Sequence, residues 1–542
     1  MPVVSPPVVS PPVVSPPTGE RAAALVLPSR QDPVVAGAST AIGGPPGRHT
    51  RLSERRFWTP VRWLVLLTLL TSLLGFWQKS PCRVHPWQDE YQYTRACYSD
   101  VFALYFSERL VDGRVPYVQH PVEYPVVVGA VMAVAAGAVS VFPQDQRPRR
   151  FYDLTWALLT AFAVVLVVTT GRLAGRRRIW DAALVALSPA LLLHGSTNWD
   201  LVAAAFAGLG LLQWARRRPV AAGVLLGLGT ATKLYPLFLL VPLGLLCLRA
   251  GRLRAWTRTA IALVLTAAAV TVPVYLVSPS FAESGGQQVP VAGSPLSRFG
   301  TEGLAALAPH VTNARTAAIT PAAGCAVSGI NATWRFVELS STRGADWDSL
   351  WLQLQQARGT PLDEPGCGGV PHRLNALFAA GFVLLLAGIA FLVWRAPRRP
   401  RVAQVLFLTL LAFLLPSKVF SPQYVIWLVP LAVLARPRWR PFLAWQASEV
   451  LLLFTRFYFF AGNDVPGQGI GQGWFFFAVL LRDAALLWFA GLVVRDVLHP
   501  ERDLVRRDGV DDPAGGVLDG VPDRRRTSHP GAAPEREAVP VG

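Results

Sequence analysis

Long apolar runs separated by short polar segments dominate the chain between about residues 60 and 495. A helix needs about 20 predominantly apolar residues to cross a bilayer. The pattern therefore predicts an all-α polytopic membrane protein with about 11–13 transmembrane helices. The predicted spans are residues 60–77, 121–142, 151–171, 179–195, 199–215, 219–233, 235–249, 258–278, 374–395, 402–417, 422–435, 442–460 and 474–495.

Two long polar stretches divide this pattern. Residues 78–120 form an amphipathic first outer loop within an N-terminal membrane module, 51–278. Residues 279–372 contain no clear apolar span and are expected to form a second outer loop before the C-terminal membrane helices, 373–497. Within that loop, 347–357 has helical apolar spacing, which favours equally a helix lying on the membrane and ordinary packing of a small ectodomain.

Both ends of the chain are predicted to be disordered. The N-terminal tail, 1–50, repeats Pro-Val-Val-Ser-Pro three times, which favours solvated polyproline II. The C-terminal tail, 498–542, is rich in Arg, Asp, Gly and Pro. Neither composition can bury enough apolar surface to build a core.

Clusters of Arg orient the predicted spans, because cytoplasmic loops carry an excess of basic residues. They place the loops 51–62, 172–178, 216–218, 249–258, 395–401 and 436–440 inside. Residues 196–200, Lys233, 416–423 and 462–473 then lie outside. Upstream there is a conflict, since the loops on both sides of 121–142 should be outside. That segment is either re-entrant, which is tolerated where it lines a cavity, or one crossing is wrong.

Composition agrees with a membrane protein and excludes a soluble one. Only 15% of residues are charged, against roughly 25% in soluble domains. The net charge is +18, but the Arg residues stand between apolar runs, so no nucleic-acid partner is expected. The only lysines among the 51 basic residues are Lys79, Lys233 and Lys418.

Polar motifs gather at the predicted outer ends of the spans, where ionisable residues are costly and are candidates for function. They are Tyr98-Ser99-Asp100 through Tyr105, Gly113 through Tyr117, Glu123-Tyr124-Pro125, Asn198-Trp199-Asp200, Lys233-Leu234-Tyr235-Pro236 and Lys418 through Tyr424. A compact ammonium group suits a phosphate at the membrane edge, which is our interpretation of Lys233 and Lys418. The alternative is that each lysine snorkels to the interface as an anchor, the role expected for Lys79.

A carboxylate facing these cations indicates group transfer. If the phosphate carries a lipid-linked sugar, the acceptor hydroxyl needs a base, and lysine can stabilise the departing phosphate. Asp100 is the predicted base, with helix capping as its alternative role and Asp89 and Glu90 as weaker candidates. Glu123 and Asp200 are expected either to orient substrates or to begin helices.

Together, these motifs resemble those of glycosyltransferase family 87, formerly a domain of unknown function, in the GT-C superfamily. The family includes actinobacterial polyprenyl-phosphomannose-dependent mannosyltransferases. The resemblance extends over about 60–495 and rests on the ordered set of motifs, since no single one is specific.

The resemblance implies a GT-C fold, a polyprenyl-phosphate sugar donor and an inverting reaction whose base maps onto Asp100. The donor-phosphate region maps onto Lys233, Lys418 and Gln423, with Tyr235 beside them. Tyr105 and Tyr124 join Glu123 and Asp200 as expected substrate-orienting residues.

The expected function is therefore that of a plasma-membrane glycosyltransferase with an extracytoplasmic active site. It would move a hexose, mannose in the family's pattern, from a polyprenyl-phosphate donor to an envelope glycolipid or glycan. A polytopic transporter or lipid flippase is the first alternative, and a non-catalytic scaffold is the second. The sequence shows no internal repeat, and its polar residues gather at one face, which favours an enzyme.

The cysteines indicate disulfide bonds, and the outer carboxylates bear on whether the protein binds a metal ion. Cys82 and Cys97 share one polar loop and Cys325 and Cys367 share another, which predicts two disulfides on the oxidising side. A metal site made by these cysteines is less favoured, because neither pair has Cys-x-x-Cys spacing. No cofactor is expected. A divalent cation on Asp100, Glu123 and Asp200 is the alternative, not favoured because the outer side has no Asp-x-Asp pair.

Overall fold

The computed structural model of this chain describes residues 32–42, 58–85, 90–284, 287–293, 295, 329–363, 370–464, 467, 469–507 and 509–523. Almost all regular structure in these residues is helical. The α-helices before the second outer loop are Pro33–Ile42, Pro60–Gln78, Ser80–Val84, Tyr91–Thr94, Asp100–Ser107, Val126–Val139, Arg147–Ala174, Ala183–Ala186, Pro189–His194, Asp200–Ala215, Pro219–Thr232, Tyr235–Phe238, Leu240–Ala250 and Leu253–Val277.

The second outer loop carries three short strands. Ser280–Ser284 pairs antiparallel with both Gln287–Ala292 and Ile330–Asn331. The α-helices that follow are Arg335–Thr342, Leu350–Arg358, His372–Arg395, Val402–Leu414, Val425–Ala435, Trp439–Asp464, Gln472–Leu498 and Leu504–Arg507. Short 3-10 turns lie at Leu110–Asp112, Arg176–Ala182, Ala332–Trp334, Pro422–Tyr424, Pro500–Arg502 and Gly516–Leu518.

Five helices in the described part of the chain are long and apolar enough to cross a membrane: Pro60–Gln78, Arg147–Ala174, Leu253–Val277, His372–Arg395 and Gln472–Leu498. Shorter apolar helices lie between them in sequence: Val126–Val139, Asp200–Ala215, Pro219–Thr232, Tyr235–Ala250, Val402–Leu414 and Pro422–Ala435. The chain is thus an all-α polytopic membrane protein, as the hydrophobic pattern predicted.

The long apolar helices differ in how far they are buried. His372–Arg395 and Leu253–Val277 expose large apolar side chains such as Leu384 and Leu265, as a lipid-facing surface requires. Val425–Ala435, by contrast, is buried at every position. Small residues allow close packing: a Cβ at Gly223 would lie 2.3 Å from the Thr259 carbonyl oxygen of Leu253–Val277.

The structure resolves the conflict over 121–142. Helix Val126–Val139 begins beside Tyr124, whose hydroxyl accepts a hydrogen bond from Asn198 at 2.7 Å. Its other end is held by Arg147, whose Nη2 donates to the Ser140 carbonyl at 2.8 Å. Arg147 begins the next helix, and Tyr152 in that helix bonds Ser196 at 3.0 Å. The chain therefore enters and leaves this helix on the side of the bundle that carries residues 196–200, and the segment does not cross the bundle.

The prediction of a disordered C-terminal tail is wrong over residues 500–507 and 509–523. Asp503 is buried against Arg401, with Nε and Oδ2 2.7 Å apart. Trp214 donates from Nε1 to the Gly515 carbonyl at 3.1 Å. The polar composition that indicated disorder instead supplies partners for buried groups. At the other end, Pro33–Ile42 forms a helix within the predicted N-terminal tail, and residues 1–31 and 43–50 lie outside the described ranges.

Candidate active site

One cavity of about 840 Å³ collects most of the predicted site residues. It lies between the first outer loop and three later polar turns. These turns follow helices Pro189–His194, Pro219–Thr232 and Val402–Leu414. Asp100, Glu123, Tyr124, Lys233, Tyr235, Lys418 and Gln423 all line it, although they are spread over more than three hundred positions of sequence. The fold therefore brings together the motifs that the sequence presents separately.

Asp100 is oriented by its backbone and is not the helix cap. Helix Asp100–Ser107 is capped by Ser99, whose Oγ accepts a hydrogen bond from the Val101 amide at 3.3 Å. The Asp100 amide donates to the Thr197 carbonyl at 2.8 Å. Because Ser99 satisfies the helix terminus, the Asp100 carboxylate can face the cavity.

An asparagine fixes that carboxylate. Asn198 Nδ2 donates to Asp100 Oδ2 at 2.5 Å and to the Tyr124 hydroxyl at 2.7 Å, while its Oδ1 accepts from the Trp199 amide at 2.6 Å. Gln423 Nε2 approaches the same Asp100 oxygen at 3.3 Å. The sequence indicated no role for Asn198 beyond its place in the Asn198-Trp199-Asp200 motif. In the structure it positions the Asp100 carboxylate.

Lys233 is a neutralised cation in an aromatic cage. Its Nζ lies 2.9 Å from Asp200 Oδ1, which also accepts from Trp427 Nε1 at 2.7 Å. The rings of Tyr124, Tyr424 and Trp427 lie 5.2–5.8 Å from the ammonium group. Asp200, expected to orient substrate, is 1% exposed and lies behind Lys233 outside the cavity lining. Its role here is to hold Lys233.

Lys418 has different surroundings. Its Nζ donates to Asn375 Oδ1 at 2.5 Å and to the Ser341 carbonyl at 3.2 Å, and no carboxylate of the described residues pairs with it. Burial, and then the nearby Arg343 guanidinium, lower the pKa of Lys418 to about 8. The cavity thus contains a cation that is not neutralised by a direct ion pair.

Glu123 and Arg343 face each other at 3.6 Å on the same cavity. Burial, and then the charge of Glu108, raise the pKa of Glu123 in spite of Arg343. The sequence offered no signal for Arg343, which is one of many arginines in a polar loop.

Lys79 is not the interface anchor that the sequence predicted. It is 1% exposed, its Nζ donates to the Tyr98 carbonyl at 2.8 Å, and it lines the cavity. Burial lowers its pKa to about 7 against the opposing effect of Asp100. Because the chain has only three lysines among its 51 basic residues, the presence of a lysine here could have indicated a functional position.

Arg456 was also missed. It lies in the cavity lining and pairs with Asp348 at 2.8 Å. Its position inside a predicted span, 442–460, was a usable signal, because an ionisable residue within a span is a functional candidate.

A disulfide joins Cys82 to Cys97, three residues before Asp100. The neighbouring Gln78 Nε2 donates to the Ala96 carbonyl at 2.7 Å. Both contacts tie the loop that carries Asp100 to the end of the first long helix. Cys325, Cys367 and Asp89 lie outside the described residues, and Glu90 is bonded to Gln92 away from the cavity lining.

Tyr105 is a correction to the predicted site. Its ring packs against Phe151 at 4.7 Å and Phe106 at 5.5 Å, and it is 2% exposed. It lies in the core outside the cavity lining, because the helix face it occupies turns away from Asp100.

The segment 347–357 packs on the bundle. Trp347 lines the cavity, and Trp351 Nε1 donates to the Pro416 carbonyl at 2.6 Å. The helix thus contacts the bundle through Trp351, while its apolar residues Leu350 and Leu354 remain 38% and 43% exposed.

In the described part of the chain, no group of three or more His, Cys, Asp or Glu side chains is arranged to hold a metal ion.

Comparison with known proteins agrees with the motifs. The family model described as glycosyltransferase family 87 matches residues 151–315, which include Asn198-Trp199-Asp200 and Lys233-Leu234-Tyr235-Pro236. Asp100, Lys418 and Gln423 lie outside the matched region. No curated protein matches the chain.

Among solved structures, the chain is similar to the apo crystal structure of an oligosaccharyltransferase from Archaeoglobus fulgidus. The two share 12% identity with a TM-score of 0.34. The match covers 80% of this chain and 56% of that one, so the chain spans little more than half of its length. Residues 151–315, less than a third of the chain, are therefore similar to glycosyltransferase family 87, within a chain whose long apolar helices are those of a membrane protein.

Proposed function

We propose that the protein transfers a hexose, mannose by resemblance, from a polyprenyl-phosphate donor to an envelope glycolipid or glycan. The reaction takes place on the extracytoplasmic face of the plasma membrane. The observation that carries this proposal is the Asp100 carboxylate, fixed by Asn198 at 2.5 Å, in the same cavity as Lys418, which has no direct carboxylate partner in the described structure.

The proposed step is a single displacement at the sugar's C1. The acceptor hydroxyl oxygen bonds to C1 from the face opposite the phosphate, and Asp100 takes the hydroxyl proton. The bond from C1 to the phosphate oxygen breaks, and its electron pair leaves with polyprenyl phosphate. Configuration at C1 is inverted, and Lys418 and Arg343 stabilise the charge that grows on the phosphate.

The remaining predicted residues have supporting roles in this scheme. Lys233 and Tyr235 bound the donor-phosphate region beside Gln423, and Glu123 and Tyr124 orient substrate near Asp100. Since Lys418 and Arg343 supply positive charge at the phosphate, we propose that transfer requires no divalent cation. A rate unchanged by a chelator supports this, and a loss restored by a divalent metal ion contradicts it.

An apolar lining beside Lys418 supports a lipid-linked donor. Phe238, Phe378 and Phe413 line the cavity, with the Phe238 and Phe413 ring centres 4.5 Å apart. Phe378 follows Asn375, the partner of Lys418, by about one helical turn. A cation next to an apolar wall suits an amphiphile with a phosphate head and an isoprenoid tail.

The experiment is a transfer assay with protein reconstituted in liposomes. It supplies labelled polyprenyl-phosphomannose and glycolipids extracted from the envelope of a deletion strain. Asp100→Asn is expected to lower the rate about 10²- to 10⁴-fold, the contribution of a general base, without changing thermal stability. Asp112→Asn is the matched control, because Asp112 is an exposed carboxylate in the same loop.

Wild-type turnover by Asp100→Asn contradicts the role of Asp100. Uptake of the labelled donor into vesicles by wild-type protein, without product formation, supports the transporter alternative instead.

A further inference from the structure

Two aromatic clusters line the cavity and differ in chemistry. The phenylalanine cluster consists of Phe238, Phe378 and Phe413. The mixed aromatic cluster is carried by the first outer loop, the 343–349 turn and helix Trp439–Asp464, and consists of Tyr93, Tyr98, Trp347, Phe457 and Phe460. In the described structure, no ring contact joins one cluster to the other.

The mixed aromatic cluster forms a continuous wall. Phe460 meets the rings of Trp347 and Tyr93 edge-on at 5.4 and 5.6 Å. Phe457 lies 6.2 Å from Tyr93 and 6.0 Å from Tyr98. Trp347 keeps 37% of its surface exposed, so it presents ring surface to the cavity that it lines.

Hydrogen-bonding side chains accompany this wall. Arg456 lies over the Phe460 ring at 5.2 Å, and Asp346 and Asn463 line the same cavity. These groups include a donor, an acceptor and an amide that can do both. The phenylalanine cluster carries no polar atoms of its own.

This combination matches a carbohydrate. A pyranose ring has apolar C–H faces and a rim of hydroxyls that both donate and accept hydrogen bonds. An aromatic wall can cover the faces while polar side chains bind the rim. An isoprenoid chain has no hydroxyls to bind and is better matched by phenylalanine alone.

The wall also reaches the proposed base. Tyr98 is two residues before Asp100, and both residues line the cavity. A sugar on this wall therefore lies in the cavity that the Asp100 carboxylate faces. We propose that the mixed aromatic cluster, with Arg456, Asp346 and Asn463, is the subsite for the carbohydrate end of the acceptor. This assignment rests on the proposed function, in which Asp100 activates the acceptor hydroxyl.

Kinetics of two matched variants test the assignment. Trp347→Ala is expected to raise the acceptor concentration at half-maximal rate by about tenfold, with the donor value unchanged. Phe378→Ala is expected to show the reverse. A wild type that transfers no sugar rejects the proposed function, whereas a working enzyme whose Trp347→Ala variant keeps the wild-type acceptor value rejects the subsite.

A binding measurement tests the subsite without turnover. Trp347→Cys and Phe378→Cys are labelled with a maleimide, and the labelling of the wild-type protein is subtracted. The probes are polyprenyl phosphate and the water-soluble glycans obtained by deacylating the deletion-strain glycolipids. The glycans should slow labelling at position 347 and not at 378, and polyprenyl phosphate should do the opposite. Protection of position 347 by polyprenyl phosphate, or by neither probe, overturns the assignment.

Discussion

Lys233 and Lys418 occupy similar motifs but have different charge environments. Lys233 is paired with Asp200 at 2.9 Å, so its positive charge is largely balanced before any ligand binds. Lys418 donates only to neutral oxygens of Asn375 and Ser341 among the described residues. The proposed phosphate contact therefore depends more on Lys418.

The pKa of Lys418 predicts a pH effect on donor capture. Burial lowers this pKa from 10.5 to about 8. The ammonium form of Lys418 therefore persists below about pH 8 and is lost above it. The value of kcat/KM for the donor, which reports free-enzyme groups, should fall as pH rises through about 8. Lys418→Arg should remove that fall, because arginine stays protonated. The measurement is donor kcat/KM between about pH 6.5 and 9.5.

Lys79 provides the internal check. Its pKa is about 7, so its proton is lost earlier in the titration than that of Lys418. An alkaline fall centred near pH 8 that persists in Lys418→Arg contradicts the assignment to Lys418.

Single residues show where sequence reasoning reached the site and where it stopped. Asp100 and Lys418 could be found because a charged residue at the end of an apolar run is costly without a role. Lys79 also stands at the end of an apolar run, but the sequence predicted it to be an interface anchor. A lysine at this position either reaches the membrane surface or is buried, and only a tertiary contact, here with the Tyr98 carbonyl, shows which. The inward or outward face of Tyr105 likewise depends on its packing against Phe151.

At the scale of elements, helix Val126–Val139 fixes the polar turn before it. Tyr117 has a left-handed backbone, with φ of 67°, and its hydroxyl lies 2.9 Å from the carbonyl oxygens of both Tyr124 and Pro125. A Cβ at Gly129 would lie 2.3 Å from the Tyr117 ring. The absence of a side chain at Gly129 is therefore what lets Tyr117 support Tyr124 beside Asn198.

Substitution of this glycine should damage the site through Tyr117. Gly129→Ala is expected to destabilise the protein by about 1–3 kcal/mol through overpacking and to lower transfer by displacing Tyr124. Gly137→Ala is the matched control in the same helix, because nothing lies within 4 Å of its added Cβ. Thermal unfolding and transfer rate measure both effects, and equal behaviour of the two variants contradicts the argument.

The path of this helix also marks a limit of the hydrophobic pattern. Residues 121–142 are apolar enough to indicate a crossing, and only the contacts of Tyr124 with Asn198 and of Tyr152 with Ser196 show that the chain returns to the same end. Residues such as 199–215, in contrast, were located well because polar motifs stand at both ends of the apolar run.

Across the whole molecule, the C-terminal segment 500–523 completes the side predicted to face the cytoplasm. Arg249 pairs with Asp523, and the Val402 amide donates to Asp512 Oδ2 at 2.7 Å. These partners are separated by more than a hundred residues, so local composition could not reveal them. The Arg clusters that orient the predicted spans contain Arg249 and Arg401, whose carboxylate partners Asp523 and Asp503 lie in the tail predicted to be disordered.

The pair between Arg401 and Asp503 gives this packing a measurable consequence. Both side chains are 2% exposed, and Gln404 Nε2 also donates to Asp503 at 3.1 Å. Asp503→Asn leaves the buried guanidinium uncompensated, which costs about 3–5 kcal/mol. Asp511→Asn should cost about 0–1 kcal/mol, because the Asp511 side chain is 48% exposed and its buried partner Arg506 still donates to the Arg399 carbonyl. Thermal unfolding in detergent should therefore separate the two variants clearly, while the folded fraction of each keeps its transfer rate because the cavity is not lined by this segment. Equal melting temperatures would show that the C-terminal segment does not stabilise the helical bundle through Arg401.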